Sequence, residues 1–335
     1  MEYKTLGKTG LKVSRMGFGG IPIQKIDEEG TRKLLQDMVR RGINYIDSAR
    51  GYTVSEQYIG YGLEGIRDQF VLATKSMART KEAMAADIET SLRNFRTDYI
   101  DLYQVHNPSM EQLDQVIGEG GALEALLEAK NAGKIGHIGI TAHSTEVFER
   151  ALTLDWVETI MFPYNIVETQ CTHLIHACAE KNIGFIDMKP LAGGNITDGT
   201  LAMRYILQNK TCTLAIPGMA TLEEIEQNTA AAEQDGPLTP EELAACEAIR
   251  AGLSGNFCRR CGYCAPCTVG IDIPGIFTLE NYLKHYDLAD WARSRYESQT
   301  ARAGDCIGCG KCEERCPYEL PIREKLKGVA KAFGA

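Results

Sequence analysis

The sequence predicts an α/β protein, a closed (β/α)8 barrel followed by a small, mainly helical second domain. Apolar runs typical of buried parallel strands alternate with segments of helical periodicity through residues 1–235, and eight such pairs can be counted. Short polar stretches end several of the apolar runs, as at the carboxyl ends of barrel strands. An open, doubly wound sheet is the alternative fold, but its glycine-rich nucleotide-binding fingerprint is missing.

The predicted elements follow one another in a regular order. Residues 3–20 predict a hairpin around Lys8 to Gly10, which would cap the bottom of the barrel, and then the first barrel strand. Barrel strands are predicted at 15–19, 43–47, 70–75, 99–105, 137–141, 158–162, 184–188 and 213–216. Helices are predicted at 27–41, 55–63, 80–94, 122–132, 144–152, 172–181, 200–208 and 221–232.

A change in composition marks the end of the predicted barrel. Gly236 and Pro237 break the preceding helix, and Thr239 can cap the next one. We therefore predict a barrel over 1–235, a linker and helix over 236–256, and a second domain over 257–335.

Charge and hydropathy exclude some classes of partner. The 335 residues carry a net charge of −9, and an acidic barrel argues against binding to nucleic acid. No apolar run reaches membrane-spanning length, and the start, Met1 to Thr5, lacks the basic and apolar segments of a signal peptide. We expect a cytoplasmic protein with neither a membrane nor a nucleic acid as a partner.

Polar side chains end three successive predicted strands. Asp47 and Tyr52 follow the second strand, Lys75 closes the third and His106 closes the fourth. Taken singly, each has a structural explanation, as an ion pair, a solvated tyrosine or a core histidine. Because the carboxyl ends of barrel strands meet at one face, the four together predict an active-site rim.

This constellation, with Asp47 and Tyr52 five residues apart, resembles the aldo/keto reductase superfamily. The resemblance covers residues 1 to about 235, from Tyr3 to Ser14 through the run Gly17 to Gly20 and on to Ile216, Pro217, Gly218 and Asn228. It implies a (β/α)8 barrel on which the four rim residues form a proton-donating tetrad over a nicotinamide ring.

The chemistry of carbonyl reduction suggests a role for each member of the tetrad. Hydride addition leaves an alkoxide that needs a proton, and a phenol with a pKa of about 10 is too weak an acid unless its anion is stabilised. We assign Tyr52 as general acid and base, Lys75 as the cation that lowers its pKa, and Asp47 as the carboxylate that holds Lys75. His106 would orient the carbonyl group.

The same resemblance implies a dinucleotide site, NAD(H) or NADP(H). Its predicted residues are Gly19, Gly20, Asp47, Thr141, Met161, Met188, Lys189, Pro190, Leu191, Gly218, Glu224, Gln227 and Asn228. Met161 and Met188 replace the family's usual glutamine and tyrosine, and Thr141 with Ala142 replaces its serine and asparagine. Glu224 stands where the family has an arginine for the 2′-phosphate, so we predict a preference for NADH.

Eight of the twelve cysteines lie after residue 257 at tight, regular spacing. Cys306, Cys309, Cys312 and Cys316, followed by Pro317, resemble the ligand run of bacterial ferredoxins. The earlier run is Cys258, Cys261, Cys264 and Cys267, whose last gap is two residues rather than three and which no proline follows. The pair of runs suffices for two [4Fe-4S] clusters and predicts a ferredoxin-like domain.

In two-cluster ferredoxins the fourth cysteine of each run serves the other cluster. By that resemblance one cluster takes Cys258, Cys261, Cys264 and Cys316, and the other takes Cys306, Cys309, Cys312 and Cys267. Two zinc sites, each held by four thiolates, are the alternative. The whole chain resembles a subset of aldo/keto reductases of anaerobes that carries such a tail.

The remaining metal-ligating residue types have simpler interpretations. Cys171, Cys178, Cys212 and Cys246 are isolated and read as small buried apolar groups. His173 and His176 stand three apart on one predicted helical face, where a surface pair is favoured over a metal site.

Three functions stay open at this point. Hydride carries two electrons, whereas a [4Fe-4S] cluster normally exchanges one. The sequence shows no recognisable group that would convert two-electron transfer into one-electron transfer. A flavin is therefore possible as a further cofactor, but no motif indicates one. The clusters could exchange electrons with a ferredoxin-like partner while the barrel acts on a small carbonyl or alcohol. They could instead be structural and wall the substrate pocket. A nicotinamide-binding sensor, as in the potassium-channel β subunits of the superfamily, is the third hypothesis.

Overall fold

The computed structural model describes residues 1–234 and 236–334, and Asp235, the predicted end of the barrel, lies outside them. The chain forms two compact units. The first contains Met1–Leu191 and Asp198–Thr239, and the second contains Ala192–Thr197 and the chain from Pro240 onward. The predicted linker and helix, 236–256, therefore contributes most of its length to the second unit, which also takes in a short segment after Leu191.

The elements of the first unit alternate as the sequence predicts. Its strands are β1 (Tyr3–Thr5), β2 (Lys12–Ser14), β3 (Phe18–Gly19), β4 (Tyr45–Asp47), β5 (Val71–Ser76), β6 (Ile100–His106), β7 (Ile135–Thr141), β8 (Thr159–Pro163), β9 (Gly184–Met188) and β10 (Leu214–Ile216). Its helices are α1 (Glu28–Arg40), α2 (Ser55–Gly62), α3 (Lys81–Phe95), α4 (Met110–Ile117), α5 (Ala122–Asn131), α6 (Thr145–Ala151), α7 (Thr172–Glu180), α8 (Gly199–Gln208) and α9 (Leu222–Ala232).

Eight parallel strands, β3 to β10, form one sheet in sequence order. Its two ends meet, because the Gly17 N–H donates to the carbonyl of Ala215 at 2.8 Å and the Gly19 N–H donates to that of Pro217 at 2.9 Å. The predicted (β/α)8 barrel is confirmed.

A hairpin of β1 and β2 precedes the barrel, pairing antiparallel with Tyr3 opposite Ser14. Between the strands, Leu6 is fully buried in the cluster that fills the barrel interior. Gly7 has a φ of +52°, and a Cβ there would lie 2.2 Å from the backbone nitrogen of Gly184 at the start of β9. The hairpin therefore closes the amino-terminal end of the barrel, as predicted, through a contact that only glycine allows.

Alternation along each strand divides the apolar side chains between two cores. Tyr45, Ala73 and Leu102 belong to the cluster inside the barrel, whereas their neighbours Ile46 and Leu72 pack outward. The helices present matching faces to the outer core, which is the arrangement of a parallel sheet covered on its outer side.

Helix α1 shows how local sequence sets a helix boundary. The Asp27 side chain accepts from the Gly30 N–H at 2.7 Å and so caps the first turn. Leu34, Leu35 and Met38 are buried at helical spacing on the face toward the sheet.

The second unit is built from helices, as predicted. They are α10 (Pro240–Leu253), α11 (Ile273–His285), α12 (Ala289–Glu297), α13 (Lys311–Glu314) and α14 (Ile322–Phe333). Its core joins Ile276 and Phe277 of α11 to Leu326 and Val329 of α14. The cysteine runs occupy the loops before α11 and around α13. No helix among the described residues is long and apolar enough to cross a membrane.

Helix α4 is an element that sequence analysis does not predict. It spans eight residues directly after β6 and begins with a capping box between Ser109 and Gln112. Its apolar positions Met110, Leu113 and Ile117 have helical spacing, and together with the cap they are the sequence signal that could have revealed it.

Candidate functional site

The four predicted rim residues lie at the carboxyl ends of three neighbouring strands. Asp47 is the last residue of β4, Lys75 lies near the end of β5, and His106 is the last residue of β6. Tyr52 follows in the loop between β4 and α2. Because β4, β5 and β6 are adjacent in the sheet, the structure brings the four side chains to one side of the barrel mouth.

Lys75 is the centre of this group. Its Nζ donates to the Asp47 carboxylate and, at 2.7 Å, to the carbonyl oxygen of Ser48. The same Nζ lies 4.9 Å from the centroid of the Tyr52 ring. The Tyr52 and His106 rings meet edge to face, with centroids 6.3 Å apart. The arrangement places an ammonium beside a phenol and a histidine across from it.

The ion pair is withdrawn from solvent, since Asp47 is 3% exposed and Lys75 is 2% exposed. Burial raises the pKa of Asp47, against the lowering effect of Lys75. Burial likewise lowers the pKa of Lys75, against the raising effect of Asp47. Each partner therefore depends on the other to remain charged in this low-dielectric position.

A further contact holds the Asp47 carboxylate, and sequence analysis missed it. Gln104 is fully buried in β6, and its Nε2 donates to Asp47 Oδ1 at 3.1 Å. This donor supports the ionised carboxylate at Oδ1, whereas Lys75 donates to Oδ2. The sequence signal was a polar amide two residues before His106, between the apolar positions Tyr103 and Val105.

A second buried carboxylate supports the loop that carries Tyr52. Glu56, at 1% exposure, accepts from the Arg50 guanidinium at 2.5 Å, from Thr74 and Ser91 at 2.8 Å each, and from Asn94 at 3.0 Å. Arg50 and Glu56 lie on either side of Tyr52 in the chain. The network therefore ties the loop to β5 and α3, a link between distant segments that sequence analysis did not find.

Gly19 and Gly20, predicted to contact the dinucleotide, lie beside the ion pair. The Gly20 N–H donates to the carbonyl of Asp47 at 2.7 Å, and a Cβ at Gly20 would lie 2.8 Å from that oxygen. A Cβ at Gly19 would lie 3.0 Å from the carbonyl oxygen of Ile216. Both glycines thus allow the backbones of neighbouring strands to approach closely.

The other predicted dinucleotide residues of the barrel lie at the ends of strands β7 to β10 or directly after them. Thr141 ends β7, and its hydroxyl accepts from the Asn107 N–H at 3.0 Å. Met161 in β8 is buried in the barrel interior, and Met188 ends β9 half-buried. The remaining positions are Lys189, Pro190 and Leu191 directly after β9, and Gly218, which bridges to Gly19.

Three predicted positions lie on α9, and their side chains contact that helix. The Glu224 carboxylate accepts from the N–H groups of Ala220 at 2.6 Å and Thr221 at 3.1 Å, which completes a capping box. Asn228 donates to the Glu224 carbonyl at 2.8 Å, and Gln227 donates to Glu223 at 3.2 Å. The helix cap supplies a local reason for a carboxylate at position 224 that sequence analysis did not weigh.

The eight carboxyl-terminal cysteines surround two cavities in the second unit. One cavity is lined by Cys258, Cys261, Cys264 and Cys316. The other is lined by Cys306, Cys309, Cys312 and Cys267. Each cavity thus takes three cysteines from one run and the fourth from the other run.

The chemistry of the two cavities suits an iron-sulfur cube. Their other walls are mainly apolar, and Ile273 of α11 contributes to both. The Arg260 N–H donates to Cys258 Sγ at 3.4 Å, and the Thr268 hydroxyl lies 3.4 Å from Cys309 Sγ. Within residues 1–234 and 236–334, no three Cys, His, Asp or Glu side chains converge on the position of a single ion. Thiols spread around a cavity fit a cube better than the tight tetrahedron of zinc.

The isolated cysteines and histidines are placed outside these sites. Cys171, Cys178, Cys212 and Cys246 are buried, and burial raises the pKa of Cys178 to about 12. His176 lies 3.3 Å from the Thr211 hydroxyl, and neither His173 nor His176 joins a metal-binding group within the described chain.

Comparison with known proteins supports both parts of this description. Residues 15–200 match the aldo/keto reductase family, and residues 257–321 match a 4Fe-4S dicluster domain. The chain is similar to L-galactose dehydrogenase of Arabidopsis thaliana, with 28% identity over 74% of this chain and 94% of that enzyme. It is also similar to an NADH-specific methylglyoxal reductase of Escherichia coli, with 28% identity over 62% of this chain and 72% of that enzyme.

Among solved structures, an aldo-keto reductase of Bacillus halodurans in its holo form has a TM-score of 0.65 and 25% identity. The match spans 74% of this chain and 96% of that one. These matches agree with the structure, in which Gly17 and Gly19 close the barrel and the buried Asp47 and Lys75 lie beside Tyr52. This chain belongs to the aldo/keto reductase family and is an oxidoreductase of that family with a carboxyl-terminal 4Fe-4S dicluster domain.

Proposed function

We propose that the barrel reduces an aldehyde or ketone, or oxidises the corresponding alcohol, with Tyr52 as the group that gives and takes the proton. The observation that carries the proposal is the position of the buried Lys75 ammonium, 4.9 Å from the Tyr52 ring and paired with Asp47. A nicotinamide dinucleotide, when bound, supplies or accepts the hydride. The residues of this chain transfer the proton and stabilise the negative charge that remains on Tyr52.

Each residue of the tetrad has one task. Tyr52 donates its phenolic proton to the carbonyl oxygen as negative charge develops there, and the Lys75 ammonium stabilises the phenolate that remains. Asp47, held by Gln104 at 3.1 Å, keeps Lys75 charged and in place. His106 orients the carbonyl oxygen toward Tyr52. General acid catalysis of this kind is typically worth about 10² to 10⁴ in rate.

The dinucleotide site is proposed on Gly19, Gly20, Thr141, Met161, the segment 188–191, Gly218 and helix α9. We expect NADH to be preferred because the Glu224 carboxylate would repel a 2′-phosphate. The methylglyoxal reductase to which the chain is similar is NADH-specific by name. Glu224→Gln keeps an oxygen for the helix cap but removes the charge, so the ratio of kcat/KM for NADPH to that for NADH should rise. An unchanged ratio would remove Glu224 from this role.

The eight thiols are proposed to hold two [4Fe-4S] clusters that exchange electrons with a partner, for which a ferredoxin-like carrier is the candidate. A structural role is the second candidate, and it is favoured by the burial of Cys264 and Cys312 within the apolar core of the second unit. Anaerobic addition of NADH alone, followed by electron paramagnetic resonance, separates the two. Cluster reduction supports electron exchange, and unreduced clusters that still react with dithionite support the structural role.

Turnover by anaerobically purified protein tests the proposal as a whole. We expect NADH consumption that depends on an added aldehyde, with formation of one alcohol per NADH consumed. The protein should also contain iron and sulfide in amounts that match two clusters. Dinucleotide binding without turnover of any aldehyde would favour a sensor and contradict the enzymatic proposal.

A further inference from the structure

A second cation lies at the same side of the barrel mouth, outside the tetrad. Arg79 follows β5 by three residues, in the turn that leads to α3. Its Nη2 donates to the carbonyl oxygen of His106 at 2.8 Å and to Gln112 Oε1 at 3.2 Å. The guanidinium is therefore fixed against the strand end that carries the carbonyl-orienting histidine.

Among the described residues, no acidic side chain pairs with the charge of Arg79. Its hydrogen-bond acceptors are the carbonyls of His106 and Ala78 and the amide of Gln112, all of them neutral. No carboxylate of residues 1–234 or 236–334 forms an ion pair with it. Burial lowers the pKa of Arg79 to about 10, and no neighbouring acid opposes that effect. A half-buried cation without a counter-ion is unfavourable unless a ligand supplies the charge.

Other half-buried arginines of the barrel are paired with acids. The Arg50 guanidinium contacts both Glu56 and Asp87, and the Arg67 guanidinium contacts Asp101 at 2.7 Å. Arg50 is the closer comparison because it also lies near the carboxyl ends of β4 and β5. The absence of an acid beside Arg79 is therefore a local property of that position.

Strand order indicates which ligand group could reach Arg79. In the ring of eight strands, β5 and β6 lie opposite β9 and β10. The proposed positions for the phosphate and adenosine parts of the dinucleotide follow β9 and β10 or lie on α9. Arg79, beside His106 on the opposite side, is placed for the substrate rather than for the cofactor phosphates.

We propose that Arg79 binds an oxyanion group of the substrate, which makes the substrate class a small carbonyl compound that also carries a carboxylate or a phosphate. The proposal rests on the proposed function of the barrel. Within residues 1–234 and 236–334, the one hydrogen bond of Arg79 Nη1 is to the carbonyl of its neighbour Ala78 at 3.4 Å, so its second N–H can donate to a ligand. A guanidinium fork matches the paired oxygens of either group.

Matched probes isolate the charge. We would compare 4-oxobutanoate with its neutral methyl ester, and glyceraldehyde 3-phosphate with glyceraldehyde, in the full-length holoprotein. Arg79→Gln removes a hydrogen bond to a charged group, so it should lower kcat/KM for the preferred anionic aldehyde by about 10- to 100-fold. The neutral member of each pair should be unaffected. The pair that shows the effect identifies the carboxylate or the phosphate as the anion.

Two further variants control for structure and net charge. Arg79→Lys keeps a cation and should restore part of the lost kcat/KM for the anionic aldehyde. Arg93→Gln makes the same change in net charge at an exposed position of α3 and should leave all four substrates unchanged. Equal losses for charged and neutral aldehydes in Arg79→Gln would mean that Arg79 only positions His106, and would overturn the proposal.

Equilibrium binding separates failure of this proposal from failure of the proposed function. Butanoate and butanamide are unreactive, and their binding to the NADH complex can be followed by ligand-observed NMR. We expect butanoate, but not butanamide, to lose affinity in Arg79→Gln. If wild-type protein reduces no aldehyde yet binds butanoate through Arg79, the anion site stands and the enzymatic proposal fails. Equal binding of butanoate and inorganic phosphate by wild type and Arg79→Gln would contradict the anion site.

Discussion

The two units of this chain complete their functional sites in opposite ways. In the barrel, Lys75 and Asp47 pair directly, and Gln104 and Ser48 supply further hydrogen bonds at 3.1 and 2.7 Å. In the second unit, eight cysteines surround two cavities, four around each. The barrel site is thus preorganised by its own side chains, whereas the second unit has an interior that an inorganic group would fill.

Thiol chemistry strengthens the contrast. Burial raises the pKa of Cys264 to about 12, so a free thiol there stays protonated at neutral pH. Coordination to iron requires the thiolate, and metal binding is then coupled to folding and to proton release. The core around Ile276 and Leu326 includes Cys264 and Cys312, so it depends on what those sulfurs bind. Loss of the clusters should therefore affect one unit much more than the other.

Removal of iron is expected to have the largest effect. Anaerobic chelation should abolish the protection of α11 and α14 against amide hydrogen exchange, because their shared core is built around the cysteine loops. Strands β4, β5 and β6 should keep their protection, because the ion pair of Asp47 and Lys75 needs no metal. Hydrogen-exchange mass spectrometry measures both regions in one sample.

Equal behaviour of the two units would contradict the expectation that only the second unit depends on clusters. Retained protection of α11 and α14 after complete removal of iron would show that the second unit folds without clusters. Loss of protection in the barrel strands would show that the barrel depends on them. Cys246→Ser is a matched control, because Cys246 is buried outside the cavities and its replacement should leave the iron content unchanged.

Replacement of Gln104 tests preorganisation in the barrel. Gln104→Leu removes the donor to Asp47 Oδ1, and a hydrogen bond to a charged group is worth about 1.5–3 kcal/mol, so kcat should fall by about tenfold or more. Gln104 lowers the pKa of Asp47, so its loss should raise that pKa further. As the pH is lowered, Gln104→Leu should therefore lose activity at a higher pH than wild type does. The measurement is a pH profile of kcat.

Gln208→Leu is the control for this change, since Gln208 is exposed on α8 and its Nε2 donates to the Gly236 carbonyl at 3.0 Å. It should leave the profile unchanged. A Gln104→Leu protein with the wild-type rate and pH profile would show that Asp47 needs no support beyond Lys75.

A smaller effect is expected at Glu158, which joins the amino-terminal ends of β7 and β8. Burial raises its pKa, but bonds from His137 at 2.7 Å, Lys130 at 2.6 Å and the Ile138 N–H at 3.0 Å outweigh burial and lower the pKa to about 2. The stabilisation is present above the free-glutamate value of 4.5 and is lost as the pH falls toward 2. After allowance for solvent screening it amounts to about 1–2 kcal/mol.

Glu158→Gln should therefore lower the local free energy of opening of β7 and β8 at pH 7, as measured by hydrogen exchange. The difference from wild type should shrink as the pH falls below 4.5. Glu89→Gln is the control, because Glu89 pairs with Lys134 at the surface and should contribute less than about 1 kcal/mol. Equal effects of the two changes would show that Glu158 is an ordinary surface pair.

A smaller effect is expected at Thr268, where a substitution should change the reduction potential of only one of the two clusters. The Thr268 hydroxyl lies 3.4 Å from Cys309 Sγ and lowers the pKa of that thiol. Hydrogen bonds to cysteine sulfur are one of the factors that set cluster potential. Thr268→Val should shift one of two reduction steps to lower potential, as seen in a titration monitored by electron paramagnetic resonance.

Thr278→Val is the matched control, because the Thr278 hydroxyl bonds a backbone carbonyl within α11 at 2.9 Å. It should shift neither step. Equal shifts of both steps in Thr268→Val would contradict assignment of Cys309 to a single cluster.

Features with a local sequence pattern could be predicted from the sequence. Periodicity or spacing indicates the eight strands, the two cysteine runs and the rim residues Asp47, Tyr52, Lys75 and His106. Arg79, Gln104 and Glu56 do not, because their roles depend on which strand end or helix the fold brings against them. A polar residue within a strand gives no sign of its partner.

Glu224 shows how one residue can carry two explanations. The family resemblance places it where an arginine would bind a 2′-phosphate, and the structure adds a contact within its own helix, since the carboxylate accepts from the Ala220 N–H at 2.6 Å. The sequence run from Thr221 to Glu224 has the spacing of a capping box, so the helix cap could also have been predicted from the sequence. The dinucleotide preference stays a prediction for kinetics to decide.

We propose that Tyr52 supplies the proton during carbonyl reduction and that Lys75 stabilises the phenolate that remains. Single-turnover reduction of an aldehyde by NADH in Tyr52→Phe measures this proton transfer, with NADH affinity determined on the same protein. We expect a rate at least about 10²-fold below wild type with unchanged NADH affinity. A Tyr52→Phe protein that binds NADH normally and reduces the aldehyde at the wild-type rate would contradict it.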